Sequence, residues 1–472
     1  MQEHSRPAAA LDDDQVSIEQ ELYKKREKIY PREVHGLFAG LRVLAMVALL
    51  GIYYGLPWLS WDGRQAVLFD LPARKFHIFG LTLWPQDFFL LSMLLIIAAI
   101  SLFMFTALAG RLWCGYACPQ TVWTEIYLWF EQKIEGGSRR QKKRDQGPRN
   151  AAFYGVKTAK HTVWLLFSLW TGFTFVGYFS PIRELWFDTL AFDLSGWETF
   201  WIFFYGLATY GNAGFMREQV CIYMCPYARF QSAMFDHDTL IISYDEQRGD
   251  PRGSRRRGTP SADVGLGDCI DCGLCVQVCP VGIDIRDGLQ YQCIGCAACV
   301  DVCDDVMDKM GYPRGLVRYT TENALAGRPT RVVRPRVMVY GAILALVVAG
   351  LAYALMTRVP LEVDIIRDRN ALYTETDDGL VQNVYNVKII NMHREAQTYR
   401  LSVSGLEGLQ VVGQTADIAV DSGVVVNLPL RVQVDPVVLE SSSSEIRFHV
   451  ESMQSPAIVA EQPTRFLGPV LR

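Results

Sequence analysis

The chain opens polar, then sets long uncharged apolar runs between short basic loops, and past residue 356 changes to strict apolar–polar alternation. A hydrocarbon core of about 30 Å and a helical rise of about 1.5 Å per residue make roughly 20 apolar residues enough to span a bilayer. Five stretches meet that length, near 37–58, 87–110, 161–179, 197–215 and 337–356. Phe88–Gly110 and Val337–Met356 carry no charge. The first run has Arg42 near its start, where the side chain can snorkel, and the fourth has Glu198 at one end. Lys and Arg gather before the first run, in "KIEGGSRRQKKRDQGPRN", in "RGSRRRG" and before the fifth run, whereas 59–86 and 180–196 hold only Arg64, Arg74, Lys75 and Arg183. Basic loops stay in the cytoplasm. This places the N-terminus, 111–160 and 216–335 inside and 358–472 outside.

In the alternating tail, "YRLSVSG" puts Tyr399, Leu401 and Val403 on one face. "VVVNLPLRVQV" does the same for Val424, Val426, Leu428, Leu430, Val432 and Val434, and "EIRFHV" for Ile446, Phe448 and Val450. Turn residues separate these runs every ten or so positions, the spacing of an immunoglobulin-like β-sandwich. The tail has no cysteine and no catalytic constellation, so it is expected to dock a partner on the outer side.

Composition adds little to this, and cysteine placement adds much. The net charge of −4 over 472 residues gives no reason to expect a nucleic-acid partner. No small-residue cleavage site follows an apolar core in residues 1–33, so no signal peptide is expected. All twelve cysteines lie between Cys114 and Cys303, which argues for reduced thiols or metal ligands rather than a disulfide scaffold.

Eight of them form two quartets. Cys269, Cys272, Cys275 and Cys279 read C-x2-C-x2-C-x3-C-P, and Cys293, Cys296, Cys299 and Cys303 repeat that spacing with Asp304 in place of the proline. Short steps wrap the backbone around one cubane, and the fourth cysteine of each run reaches the other cluster. The expected ligand sets are therefore Cys269, Cys272, Cys275 and Cys303 for one [4Fe–4S], and Cys293, Cys296, Cys299 and Cys279 for the second. Zinc would want thiolates in pairs, without the small residues Gly273, Gly295, Ala297 and Ala298 among them. Asp304 beside its cluster should lower that cluster's potential.

The remaining four stand in two Cys-x3-Cys-Pro motifs, Cys114/Cys118/Pro119 and Cys221/Cys225/Pro226, each after an apolar run at the same expected membrane boundary. Proline is favoured as the first residue of a helix, so Cys118 and Cys225 are expected to cap new helices whose positive ends depress their thiol pKa. The helix "PQTVWTEIYLWFEQKI" should set Val122, Ile126, Trp129 and Phe130 against a polar face of Glu125, Glu131 and Lys133. Four thiolates suit Cu(I), a soft ion. They equally suit a disulfide switch, or the bracing of a quinone pocket lined by Trp113, Tyr116, Trp123 and Tyr223. His161 reads as an interfacial anchor and His77 as solvated, and the sequence has no Walker motif or dinucleotide fingerprint.

The reading is of a multi-domain integral membrane protein. It comprises a cytoplasmic arm (1–34), a bundle of four transmembrane helices (35–230), an inserted dicluster ferredoxin-like domain (231–335), a fifth helix (336–357) and a periplasmic immunoglobulin-like sandwich (358–472). The motifs "WCGYACPQTVWTE", "REQVCIYMCPYARFQSAMFD", "CPVGIDIRDGLQYQCIGCAACVDVCDDVMDKM" and "GYPRGLVRY" closely resemble the cytochrome c oxidase accessory proteins of the CcoG (FixG/RdxA) family. The resemblance implies a bacterial inner-membrane protein that supports assembly of a cbb-type oxidase and reduces Cu(II) to Cu(I), with Cys114, Cys118, Cys221 and Cys225 handling copper. It also implies oxidase subunits, a copper-transport ATPase or copper chaperones as partners, and leaves the electron donor unnamed. Two other functions remain open: a quinol dehydrogenase passing electrons through two clusters, and a non-catalytic scaffold for oxidase assembly.

Overall fold

The computed structural model describes residues 28–259, 265–393 and 395–469. Most of the 1–34 arm, including Lys24, Lys25 and Arg26, lies outside the described residues. The chain divides into two compact units, 1–347 and 348–472.

In the first unit the apolar runs become helices α1 (Leu37–Gly55), extended by a 3-10 turn to Trp58, and α2 (Phe88–Ala109). Past α2 come the short α3 (Leu112–Tyr116) and α4 (Pro119–Glu135). They are followed by α5 (Ala151–Val176), α6 (Gly196–Thr209), α7 (Pro226–Met234) and α8 (Ala298–Met310), and α9 (Pro335–Met356) runs from the first unit into the second. Among the described residues, Leu37–Trp58, α2 and α9 are the helices long and apolar enough to cross a membrane. The two other stretches expected to span fall on α5 and α6. Helix α5 starts ten residues before the apolar run because Asn150 caps it, accepting from Phe153 N at 2.9 Å. It thereby brings Lys157 and Lys160 into the helix. Glu198 is at the start of α6 for a local reason: it forms a capping box with Ser195, whose amide it accepts at 3.1 Å. Helices α5 and α6 approach closely at Gly172, where any Cβ would strike the Ile202 carbonyl. Beyond Thr209, α6 loosens into π-helical segments Tyr210–Met216 and Val220–Met224, a device often found at functional sites.

The 59–86 loop is built from strands Val67–Asp70, Lys75–Ile78 and Leu81–Leu83. His77 is half-buried there rather than solvated, with Arg64 Nη1 at 2.7 Å and Thr82 Oγ1 at 3.0 Å from Nδ1. Burial, with Arg64 next, lowers its pKa to about 4. His161 contacts Tyr210 Oη at 2.9 Å.

Residues 241–259 and 265–320 form the cysteine-rich lobe. Strands Ile241–Tyr244 and Val317–Thr320 pair antiparallel and bracket both cysteine runs, around a core of Ile242, Ile285, Val300, Met307 and Leu316.

The second unit is a sandwich of two antiparallel sheets. One has the order Gln410–Val412, Val425–Val434, Val381–Asn391, Leu361–Arg367; the other Ile418–Val420, Gln397–Ser404, Ser443–Ser452, Val459–Leu467. The alternation sends Tyr399, Leu401, Ile446, Phe448 and Val450 inward, with Leu430, Val432 and Val434. Val424 departs from its expected face and is exposed. Tyr385 packs edge-on against Phe448, and its hydroxyl donates to Arg465 O at 2.9 Å.

Candidate functional site

The two cysteine runs repeat one backbone path. Asp271 and Gly273 in the first, and Gly295 and Ala297 in the second, take left-handed φ of 53°, 62°, 68° and 58°. Left-handed residues flanking the middle cysteine curl the chain so that amide groups turn inward, and only glycine does this without a steric cost. The amides of Val276, Gly295, Ala298, Val281 and Ile283 bond cysteine sulfurs. Cys269, Cys272, Cys275 and Cys303 line one small pocket, and Cys275, Cys279, Cys293, Cys296 and Cys299 line another. Cys303 and Cys279 thus each face the pocket of the opposite run. Burial pushes the thiols up, Cys275 and Cys293 to about 11 and Cys279 and Cys303 to about 12. Thiols in such a place ionise only when a metal takes the proton's position. Four sulfurs about a small void, with inward amides, are the donor set a [4Fe–4S] cubane fits. Asp304 accepts from Gly315 N at 2.8 Å, and its charge raises the Cys303 thiol further.

The second run is the one against the helix ends. Asp301 on α8 accepts from Phe38 N at 3.1 Å and Ala39 N at 2.7 Å, capping α1 from 262 residues away along the chain. Arg42 does not snorkel: it is buried and donates to Cys296 O at 2.5 Å, with Glu125 at 3.6 Å from its Nε. Arg111 donates to the carbonyls of Tyr291, Cys293 and Ala228. A Cβ on Gly115 would lie 2.8 Å from Gly295 O and 2.9 Å from Cys296 N, so the first Cys-x3-Cys turn rests directly on the second cysteine run. Tyr116 joins the same contact through Tyr319, whose hydroxyl donates to Gly295 O at 2.6 Å.

Cys118 and Cys225 are the N-caps of α4 and α7, each followed by proline. The expected depression of the Cys118 thiol is overturned: burial raises it, outweighing the opposing amides of Thr121 and Gln120. Burial also pushes Cys114 and Cys221 to about 12. The four thiols are near enough to act on one another, Cys114 through Cys118 and Cys221, and Cys221 through Cys118 and Cys225, and Cys114, Cys221 and Cys225 also act on Arg111. Cys114 Sγ also contacts Gln231 Oε1 at 3.3 Å. Among the described residues no three sulfur, imidazole or carboxylate groups stand at single-ion spacing.

Two features escaped the sequence. One is a cavity of about 680 Å³ whose walls include Arg42, Gln120, Glu125, Glu218, Cys221 and Cys296. Trp113, Tyr116, Trp123 and Tyr223, expected to line a pocket, do not line this one; Trp113 and Tyr223 are exposed, and Trp123 points its Nε1 at Tyr54 Oη, 3.4 Å away. The other is a buried ion network. Glu131, assigned to a polar surface, faces inward with Val122, Tyr127 and Glu135, while Trp129 is exposed. Glu131 meets Arg217 at 2.8 Å and Lys160 at 3.2 Å, and Glu135 meets Lys160 at 2.8 Å and Lys157 at 2.9 Å. Burial works against the Glu131 charge, but Arg217 and Lys160 overcome it and hold the carboxyl below its ordinary range. The sequence-level hint was the i, i+4 spacing of Tyr127, Glu131 and Glu135.

Comparison with known proteins gives three family models. A 4Fe-4S dicluster domain matches residues 216–322, a 4Fe-4S binding domain matches 89–136, and an IG-like fold at the C-terminal of FixG matches 351–469. Nitrogen fixation protein FixG of Rhizobium meliloti is 38% identical over 432 residues, 83% of this chain and 82% of its own. Protein RdxB of Cereibacter sphaeroides is 43% identical over 398 residues, 81% of this chain and 83% of its own. Protein RdxA of the same organism is 39% identical over 405 residues, covering 82% and 85%. A solved FixG-related protein from Vibrio parahaemolyticus, 34% identical, covers 23% of this chain and 95% of its own at a TM-score of 0.21.

Proposed function

Because the chain belongs to the FixG/RdxA family, we propose that it is a membrane-bound iron–sulfur electron-transfer protein that supports assembly of a cbb-type cytochrome c oxidase by reducing Cu(II) to Cu(I). Cys269, Cys272, Cys275 and Cys303 would hold one [4Fe–4S] cluster, and Cys293, Cys296, Cys299 and Cys279 the other. When bound, these clusters supply single electrons. The observation that carries the reading is the direct packing of the Cys114–Cys118 turn on the second cysteine run at Gly115 and Gly295. The turn that carries Cys114 and Cys118 therefore packs against the backbone that would hold the second cluster, and Cys221 is within electrostatic reach of both of its cysteines. Cu(II) is the substrate: it gains one electron, and a pair of these sulfurs would favour the Cu(I) product because soft ligands stabilise the soft ion. Arg111, among these sulfurs, balances negative charge gained when thiols give up protons to bind the metal.

The distribution of Lys and Arg supports an orientation with the cysteine-rich lobe cytoplasmic and the sandwich periplasmic, and membership of the family supports the bacterial inner membrane as the location. There the sandwich would meet oxidase subunits or a copper carrier, and the copper-transport ATPase and copper chaperones are the partners this chemistry calls for. The test is anaerobic addition of Cu(II) to the reduced full chain with a Cu(I)-specific chelator present. Chelated Cu(I) should appear in step with reoxidation of the visible iron–sulfur bands. Replacing Cys114, Cys118, Cys221 and Cys225 by Ser should abolish that while iron content holds. Cu(I) formation at wild-type rate in this variant would overturn the copper assignment.

A further inference from the structure

The reading above lacks an electron donor, and the 680 Å³ cavity has the makings of its site. Its volume is that of a small-molecule pocket, which runs about 300–1,000 Å³. Its position is particular: Cys296 of the second run and Cys221 of the second Cys-x3-Cys pair both line it. One rim is apolar and open, formed by Val43 of the membrane helix α1 and Trp129 of α4, exposed by 50% and 49%. The deeper wall is polar. Arg42, Gln120, Glu125 and Glu218 line it, with Arg42 tied to Cys296 O and the Gln120 amide held by the carbonyls of Asn212 and Arg217 at 3.0 and 3.2 Å.

A ligand suited to this place must come from hydrocarbon, present polar atoms to a ring of donors and carboxylates, and have reason to sit between redox sulfurs. We propose that the cavity binds the headgroup of a membrane quinone or quinol. The inference rests on the electron-transfer reading and names the chemical class of its donor. Oxidation of a quinol there yields a quinone, two electrons, one for each cluster, and two protons, for which Glu125 and Glu218 are the lining carboxylates. Arg42 lines the cavity between Glu125, 3.6 Å from its Nε, and the Cys296 carbonyl that its Nη1 bonds.

The experiment reads binding, which depends neither on copper nor on turnover. A short-chain ubiquinone and menadione are titrated into the full-length protein in detergent, anaerobically, following tryptophan fluorescence and heat. Saturable binding is expected. Val43→Trp, which narrows the exposed rim without entering the core, should weaken it about tenfold, and Glu125→Gln, which removes a lining carboxylate, should weaken it as well. Melting temperature and iron content of both variants report that they fold. Absence of saturable binding to the iron-loaded wild-type protein, or equal binding by both folded variants, overturns the inference even if copper reduction proceeds. Failure of copper reduction with quinone binding intact overturns only the copper reading.

Discussion

Glu131→Gln is the substitution whose effect the structure specifies most fully. The Glu131 side chain is 1% exposed and meets three cations, Arg217 at 2.8 Å, Lys160 at 3.2 Å and Lys28 at 3.6 Å. At an effective dielectric of about 20 each contact is worth about 5 kcal/mol before desolvation is counted, and desolvation removes most of it. Breaking such a buried pair from one side costs about 3–5 kcal/mol, because the charge left behind has no counterpart. Lys160 keeps Glu135 at 2.8 Å, while Arg217 loses its carboxylate partner and keeps the Gly214 carbonyl through Nε at 3.0 Å and the Trp164 ring at 5.5 Å. The lower half of that range is therefore expected, mostly from Arg217. At about 2.1 cal/mol/K per residue the first unit has an unfolding entropy of about 0.7 kcal/mol/K, so the melting temperature should fall by roughly 4–6 °C. Trp164 is a built-in reporter, with Lys160 and Arg217 4.5 and 5.5 Å from its ring. Thermal unfolding of the full chain in detergent, followed by tryptophan fluorescence, makes the measurement. Asp305→Asn, which removes an exposed pair with Lys309, is the control and should shift it by under about 1 °C. Adding Arg217→Gln to Glu131→Gln should restore part of the loss. If Glu131→Gln melts with the control, the network is not the buried, desolvated structure described.

Asp301→Ala removes both bonds to the α1 amides and should destabilise by about 1–2 kcal/mol, read as a lower melting temperature with the sandwich unaffected. Gly115→Ala drives a methyl against Gly295 O and Cys296. It should lower iron occupancy, with the reduced paramagnetic spectrum losing the contribution of the second run first. His77 has a folded pKa of about 4, below its ordinary value near 6.5. Its neutral form therefore stabilises the 59–86 loop fully above pH 6.5, and that contribution is lost as pH falls toward 4; His77→Gln should flatten the melting-temperature profile across that window. In iron-free protein at pH 8, the exposed Cys272 should react with maleimide well before Cys279 and Cys303, whose thiols burial holds at about 12.

What could be read from the sequence was whatever depends on short spacing. The C-x2-C-x2-C-x3-C runs, the alternation that buries Phe448 and Val450, and proline after Cys118 and Cys225 are all local signals. What could not be read depends on residues far apart in the chain. Glu131 looks like a surface carboxylate until Arg217, 86 residues later, is placed against it. Asp301 looks like one more acid beside a cysteine run, and its role as a helix cap lies 262 positions away. The Cys118 thiol misled for a related reason. The helix-end amides of Thr121 and Gln120 still pull the thiol down, but the desolvation that comes with burial in the folded unit is larger and sets the net direction.

The claim underlying all of this is that the two cysteine quartets each hold an iron–sulfur cubane. Iron and acid-labile sulfide, counted in full-length protein purified without oxygen and paired with low-temperature paramagnetic resonance of the reduced form, test it directly. About eight iron and eight sulfide per chain are expected for two [4Fe–4S] clusters, with a spectrum showing two reduced centres close enough to interact. Protein that carries zinc instead, or iron without sulfide, would contradict it.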